Sequence, residues 1–346
     1  MNTGRNTGWI KWVLLLMVLA AVNFIHLPYY FSVPGDAQTL TDVIEVEDGY
    51  AYEGSFALTT IRMGKANSVN YIWSLLSDRR ELMHENEVRP PGESDDMYNH
   101  RQMMLMSTSQ QQSVIAAYEA AGREASFEEY GVVITSIIPG MDAEEKLESG
   151  DRITSVNETE VRTADELLDS VSGAEAGEVF SMTIVRNDEE MDVEVTAEEF
   201  PEEFGAEEGR AGIGISNPVT DRELITDPEV DISTSQIGGP SAGLMFALEI
   251  YNQLTEEDIT RGLSIAGTGS ISENGTVGSI GGISQKIYAA DEDNMDIFFA
   301  PDLDDTGGLT NFEAAQETAE SIGTDMEIVP VTSLEDALGY LESISG

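Results

Sequence analysis

Ile237-Gly238-Gly239-Pro240-Ser241-Ala242-Gly243, answered downstream by Gly281-Gly282-Ile283-Ser284-Gln285-Lys286, are the two segments around which this chain is read. A serine hydroxyl is a weak nucleophile until a base removes its proton. Lysine can be that base only when neutral, and lowering its pKa from about 10.4 to about 7–8 takes roughly 4 kcal/mol of differential stabilisation. Lys286 is one of only four lysines, and Ile280, Ile283, Ile287 and Ala290 surround it. No acid occurs between Gly275 and Ala290, in a chain that holds 65 Asp and Glu. Pro240 can open a helix, and Gly239 lets backbone approach a substrate closely. Amides at such a helix start can also line an oxyanion hole. Taken singly, Ser241 could be a helix cap and Lys286 a surface residue. Together they predict a Ser–Lys hydrolase.

Composition removes other chemistries. The 346 residues include no cysteine, so disulfides, thiolate metal sites and a cysteine nucleophile are excluded. His26, His84 and His100 form no metal-ligand spacing, and no P-loop appears, since Gly64-Lys65 lacks the upstream glycine and the hydroxyl residue. No cofactor or metal is therefore expected. Asp305-Thr306-Gly307 has no second copy to complete an aspartic dyad. Asp302 to Glu313 approaches a calcium-loop pattern, but it follows a strand-like run where the motif wants a helix. A solvated acidic turn is the simpler reading.

All 65 acids lie beyond Phe31, against 15 basic residues there, which leaves that portion near −50. Such a field repels nucleic acid and strains the fold unless salt screens it, which predicts adaptation to concentrated salt. Trp12 to Phe31 is a twenty-residue run without a formal charge, long enough to span a bilayer. Arg5 and Lys11 precede it, placing the N-terminus in the cytoplasm. Trp9, Trp12, Tyr29 and Tyr30 would mark the interfaces. A cleaved signal peptide near Leu19-Ala20-Ala21 is the competitor, but the apolar run continues past it, which favours a retained anchor over residues 9–31 behind a cytoplasmic tail, 1–8. The remainder then faces outward.

Between these landmarks, β-type runs end in Phe56–Ile61, and a long helix capped by Ser94 or Asp95 runs to about Ala121. Its stripe of Met103 and Met106 reads as core packing. Residues 126–200 form a β-rich module with a strand at Val132–Ile134, a helix from Thr163 to Val171, and Gly150-Asp151-Arg152-Ile153-Thr154-Ser155-Val156-Asn157 between them. This resembles a PDZ domain of the bacterial kind that accompanies exported proteases. The resemblance implies a peptide groove between Gly131–Ile134 and the helix, with Gly131, Val132, Ile134 and Leu167 as its residues. Glu198–Arg210 is an acidic linker, and residues 201–346 mix strands with helices, among them Gly243–Leu254 and Gly282–Asp291.

The motifs resemble the proteolytic domain of the Lon family, whose pattern reads here as Gly239–Gly243, Thr268-Gly269-Ser270-Ile271 and Gly281–Lys286. The resemblance implies Ser241 as nucleophile, Lys286 as general base, and Thr268 as the hydroxyl that orients the lysine, with Gly239 and Pro240 supporting. The aspartate usual before Gly-Pro-Ser is Gly238 here. Phe56–Ile61 and Met106-Ser107-Thr108-Ser109-Gln110 extend the likeness upstream, so residues 36–125 and 201–346 make one proteolytic fold interrupted by the PDZ module. With the N-terminal anchor and no ATPase, the chain is similar to the membrane-anchored Lon-like proteases of Gram-positive bacteria. The expectation is an α+β protein: a Lon-like α/β domain, an inserted PDZ domain and one transmembrane helix. Its implied activity is ATP-independent serine endopeptidase action on extended peptides or unfolded proteins outside the cell. Lon-type domains tend to form rings, so a homo-oligomer is the implied assembly. A binding scaffold that no longer cuts is the rival reading.

Overall fold

Phe56, Ala57 and Leu58 are consecutive and all buried, which is the mark of a strand covered on both faces. In the computed structural model, which describes residues 12, 26–90, 92–201, 209–234, 237–304 and 307–344, they begin the strand Ser55–Asn67 at the centre of a six-stranded sheet. The strand order is Glu327–Val331, Ile297–Pro301, Ser264–Gly267, Ser55–Asn67, His26–Thr39, Glu81–His84. The first four run parallel, with Ile265 opposite both Phe56 and Ile297. The last two pairings are antiparallel. Phe298, Phe299 and Ala300 are buried in the same uninterrupted way as Phe56–Leu58. Helices Gly243–Leu254 and Asp95–Ala120 pack on one another, and helix Ile283–Glu292 packs on the strands His26–Thr39 and Ser55–Asn67.

The chain divides into two compact units, residues 1–125 with 226–346, and residues 126–225. In the second, the sheet order is Glu189–Thr196, Val179–Arg186, Arg152–Val156, Ala125–Val133, Val219–Thr226. This compact unit extends past residue 200 to 225, because Val219–Thr226 hydrogen-bonds beside Ala125–Val133 and completes its sheet. Its core holds Val132, Ile134, Ile153, Leu167, Phe180, Met182, Ile184 and Val195.

The N-terminal expectation changes as well. His26–Phe31, read as the end of a membrane span, belong to the strand His26–Thr39. Tyr29 to Ser32 pair residue by residue with His84 to Glu81, and Tyr30 to Pro34 with Lys65 to Ile61; Tyr29 lies edge-on to Tyr71 and His84 rather than at a lipid interface. Trp9 and most of residues 9–25 lie outside the described residues. Among those described, no helix is long and apolar enough to cross a membrane. The methionine stripe divides too: Met106 is buried, whereas Met103 is exposed.

The Gly150-Asp151 step shows what holds the second unit. Asp151 is 1% exposed, and both its oxygens accept from Arg186, at 2.7 Å from Nε and 2.6 Å from Nη2. Oδ2 also accepts the Glu148 amide at 2.8 Å. Burial pushes the carboxyl up, but these donors outweigh it and hold it below its usual range. Removing one partner of such a pair costs on the order of 3 kcal/mol. Arg186→Ala should therefore lower the unfolding midpoint of this unit by several degrees, as read by calorimetry, while the other unit's transition stays in place.

Candidate active site

Pro240 and Ser241 form a turn before the helix Gly243–Leu254, and the helix cap is Ala242, with no side-chain capping bond. Ser241 is thus not a cap, and its half-buried hydroxyl is free for other work. The turn is fixed through its backbone. Gly239 sits at φ +90°, in the left-handed region that favours glycine, and its amide donates to the Gln102 carbonyl at 2.9 Å. Ser109 Oγ donates to the Pro240 carbonyl at 3.0 Å. Thr268 Oγ1 and the Gly269 amide both donate to the Ser241 carbonyl, each at 2.9 Å. Ser113 Oγ reaches the Gly243 carbonyl at 2.9 Å.

Lys286 lies on the first turn and a half of the helix Ile283–Glu292 and is 3% exposed. The helix is capped by Gly282 at φ +72°, and Ile283, Ile287 and Ala290 seat it in a cluster with Ala57, Ala266, Phe298 and Ala300. Nζ donates to the Thr59 carbonyl at 2.5 Å and lies 3.2 Å from Ser241 Oγ. The parallel ladder with Ser264–Gly267 ends opposite Leu58, one residue before Thr59. Burial lowers the Lys286 ammonium from 10.5 to about 7, with no carboxylate near enough to oppose it. A neutral amine within reach of a serine hydroxyl is an arrangement for proton abstraction.

Thr268 is fully buried beside this pair, but its hydroxyl holds the Ser241 carbonyl, not the lysine. The expected orienting role passes to the Thr59 carbonyl. Thr59 acts through its backbone, which any residue carries, so no side-chain pattern could have named it. Ser109 and Ser113 did leave a signal: two small hydroxyls four apart share one helix face.

The peptide groove expected at Gly131, Val132, Ile134 and Leu167 is corrected. Val132, Ile134 and Leu167 are core residues at 0–1% exposure. Strand Ala125–Val133 has neighbours on both sides. At Gly131 a Cβ would stand 2.5 Å from the Ile153 carbonyl, so glycine there serves strand packing. A groove of about 590 Å³ lies between helix Ala164–Ser170 and the segment from Gly209 to Pro218, lined by Leu168, Val171, Arg210, Ala211, Ile213 and Ile215. Ile215–Ser216 is paired to Ser136–Ile137.

Asp305 and Thr306 lie outside the described residues. Flanking them, Asp302 accepts from Thr310 Oγ1 at 2.8 Å, and Glu313 closes a capping box with Thr310 at the start of the helix Asn311–Ile322. Among the described residues, no group of three or more His, Asp or Glu could hold a metal ion.

Against known proteins, residues 229–342 match the Lon protease (S16) C-terminal proteolytic domain, and residues 104–197 match a PDZ domain. The Lon protease of Aster yellows witches'-broom phytoplasma is 30% identical over 103 residues, covering 30% of this chain and 12% of that protein. The chain thus spans about an eighth of that relative's length. Among solved structures, the PDZ domain of an SdrC-like protein from Listeria monocytogenes is 20% identical, with 26% of this chain and 88% of that one covered and a TM-score of 0.23. A Geobacillus thermodenitrificans protein solved in solution is 29% identical, with 21% and 83% covered and a TM-score of 0.19. The chain carries a Lon-type proteolytic domain and a PDZ domain.

Gly243 tests the geometry of the turn. A Cβ there would stand 2.8 Å from Ser109 Oγ and 2.9 Å from the Ile271 amide nitrogen. Helix propensity favours alanine over glycine by about 1 kcal/mol, whereas overpacking costs about 1–3 kcal/mol, and a backbone nitrogen has no rotamer with which to yield. Gly243→Ala should lower the melting temperature and, by shifting Ser241, reduce kcat/KM about tenfold or more.

Proposed function

We propose that this chain is a membrane-tethered, ATP-independent serine endopeptidase that cleaves extended peptides or unfolded proteins outside the cell, with its PDZ domain capturing substrate. The observation that carries the catalytic part is the 3.2 Å approach of Lys286 Nζ to Ser241 Oγ, with the amine buried on the Thr59 carbonyl. Neutral Lys286 takes the hydroxyl proton as Oγ attacks the peptide carbonyl. The tetrahedral oxyanion then needs donors. The amides of Gly239, Gly243 and Leu244 are already engaged. Those of Ser241 and Ala242 have no backbone partner among the described residues, and they are the donors we assign to it. Lys286 returns the proton to the leaving amine, and a water, activated by the same lysine, hydrolyses the acyl-enzyme. ATP independence rests on the missing P-loop. Outward orientation rests on Arg5 and Lys11 before the apolar run. No observation favours the scaffold reading.

Ser241→Ala should abolish cleavage of an unfolded casein-type substrate in molar salt with the fold intact. Lys286→Met should do the same and separates chemistry from stability. In the wild type, kcat/KM should rise with pH through about 7, as the amine loses its proton. The fold disfavours the charged amine, whose unfolded value is near 10.5, so its destabilising effect is full below pH 7 and fades between 7 and 10.5. Lys286→Met should therefore gain most over wild type in acid-side melts, and that gain should shrink as pH rises through this window. A pH-independent difference would remove the buried neutral amine from the mechanism.

For capture, a peptide adding as a strand alongside Ala211–Ser216 would place an apolar C-terminal side chain near Leu168 and Ile213. Peptides with a free apolar C-terminus should bind the full chain. Leu168→Asp should weaken them about tenfold, the scale of one buried leucine, as measured by fluorescence anisotropy with Ser241→Ala as background.

A further inference from the structure

An apolar tip on the proteolytic unit has no role in the chemistry above. Helix Ser68–Ser74 and the residues after it expose Val69, Ile72, Trp73, Leu75 and Leu76, from 49% at Val69 to 81% at Leu76. The helix is not loose. Asn67 caps it, accepting the Asn70 amide at 2.8 Å, Ser74 is buried, and Tyr71 turns inward, 5.1 Å from the Tyr29 ring. Arg80 lies over the Trp73 ring at 3.9 Å. Five large apolar side chains on one short, anchored element form a patch of the kind that marks an interaction surface.

Two features identify its occupant. Residues 60–77 hold no Asp or Glu, although a stretch of that length in this chain averages about three or four. The tip is therefore a gap in a surface whose charge otherwise opposes close approach to lipid or to a second copy of itself. The second feature is connectivity. With His26–Phe31 in the strand, the apolar run that began at Trp12 is left ending at Ile25, and the next residue, His26, pairs with Asn67, the residue before the tip helix. No spacer separates the run from the sheet. Adjacent Cα atoms are about 3.8 Å apart along the chain, and paired ones about 5 Å across a ladder. If the run enters a bilayer, the start of the tip helix lies within about 10 Å of the entry point, and Leu76 follows roughly 13 Å further along it.

Resting on the membrane-tethered reading, we infer that the Val69–Leu76 tip is seated in the bilayer interface as a second lipid contact. Its ligand is the headgroup and upper acyl region, with Trp73 and the stacked Arg80 at the boundary. The second contact fixes the orientation of the proteolytic unit against the membrane, which a single tether leaves free to rotate.

The chain has no cysteine, so Leu76→Cys in the full-length protein gives one attachment point for an environment-sensitive fluorophore. Glu320→Cys, on an exposed position of another helix, serves as control. Each is reconstituted into phosphatidylcholine vesicles with and without lipid carrying a nitroxide on the upper acyl chain. Insertion to about 5–10 Å predicts that the label at position 76 is quenched several-fold more than that at position 320. Flotation with the vesicles but equal, weak quenching at both positions would overturn the tip contact while leaving the tether intact. A blue shift at position 76 that follows protein concentration and ignores the lipid quencher would overturn it in favour of a second copy. Failure to float would bring down the tether and the tip together.

Discussion

The burial of a single amine constrains much of this molecule. Lys286 bonds to the Thr59 carbonyl at 2.5 Å inside an apolar cluster, and it can act as a base only while no carboxylate restores its charge. In water a lysine gives up its proton near 10.4; here burial alone brings it to about 7. The requirement reaches outward. The helix Ile283–Glu292 must present Ile283, Ile287 and Ala290 to the sheet to reach that depth. The central strand must end its parallel pairing where a carbonyl is wanted. Acids, abundant everywhere else, must stay away from residues 275–290. One acid at hydrogen-bond distance would favour the ammonium and remove the base.

Ser241 is positioned differently, by its backbone. Gln102, Ser109, Ser113, Thr268 and Gly269 hold carbonyls and amides between Gly239 and Gly243. These contacts come from both sides of an insertion: the strand Ser55–Asn67 and the helix Asp95–Ala120 precede the second unit, and the Ser241 and Lys286 segments follow it. Such an insertion is tolerable because the chain enters that unit on Ala125–Val133 and leaves it on Val219–Thr226, which are neighbours in one sheet. Entry and exit strands are thus neighbours within that unit.

What could be read from residues alone follows from how each residue acts. The approach of Ser241 and Lys286, 3.2 Å apart, could be expected from sequence because the proposed chemistry needs particular side chains in particular company; the helix Gly243–Leu254 and the strand Ile297–Pro301 followed from their apolar composition. Thr59 was illegible, since a carbonyl leaves no trace in sequence. Thr268 was implied as the hydroxyl that orients the lysine, whereas its hydroxyl donates to the Ser241 carbonyl, an acceptor that is equally invisible in sequence. The residues expected to line a groove lie in the core for a topological reason: Val219–Thr226, beyond the expected end of the module, pairs beside Ala125–Val133. Similarly, His26–Phe31 read as membrane because hydropathy does not distinguish the end of an apolar helix from an apolar strand.

Absence of acid recurs in two places and has opposite causes. Around Lys286 the gap is buried, and it protects a proton equilibrium; exposure there would rehydrate the amine and raise its pKa again. Over residues 60–77 the gap is exposed at its apolar end, so no buried titration can account for it. A chain of net charge −48 gains solubility and resists self-association through every surface acid. Leaving Leu75 and Leu76 uncovered in such a chain gives up both at one point. The fold does not require it, because Tyr71 and Ser74 already supply the inward contacts of that helix. The composition of the tip is therefore set by something outside the folded unit, and concentrated salt, which screens charge but strengthens apolar association, would make that outside contact stronger.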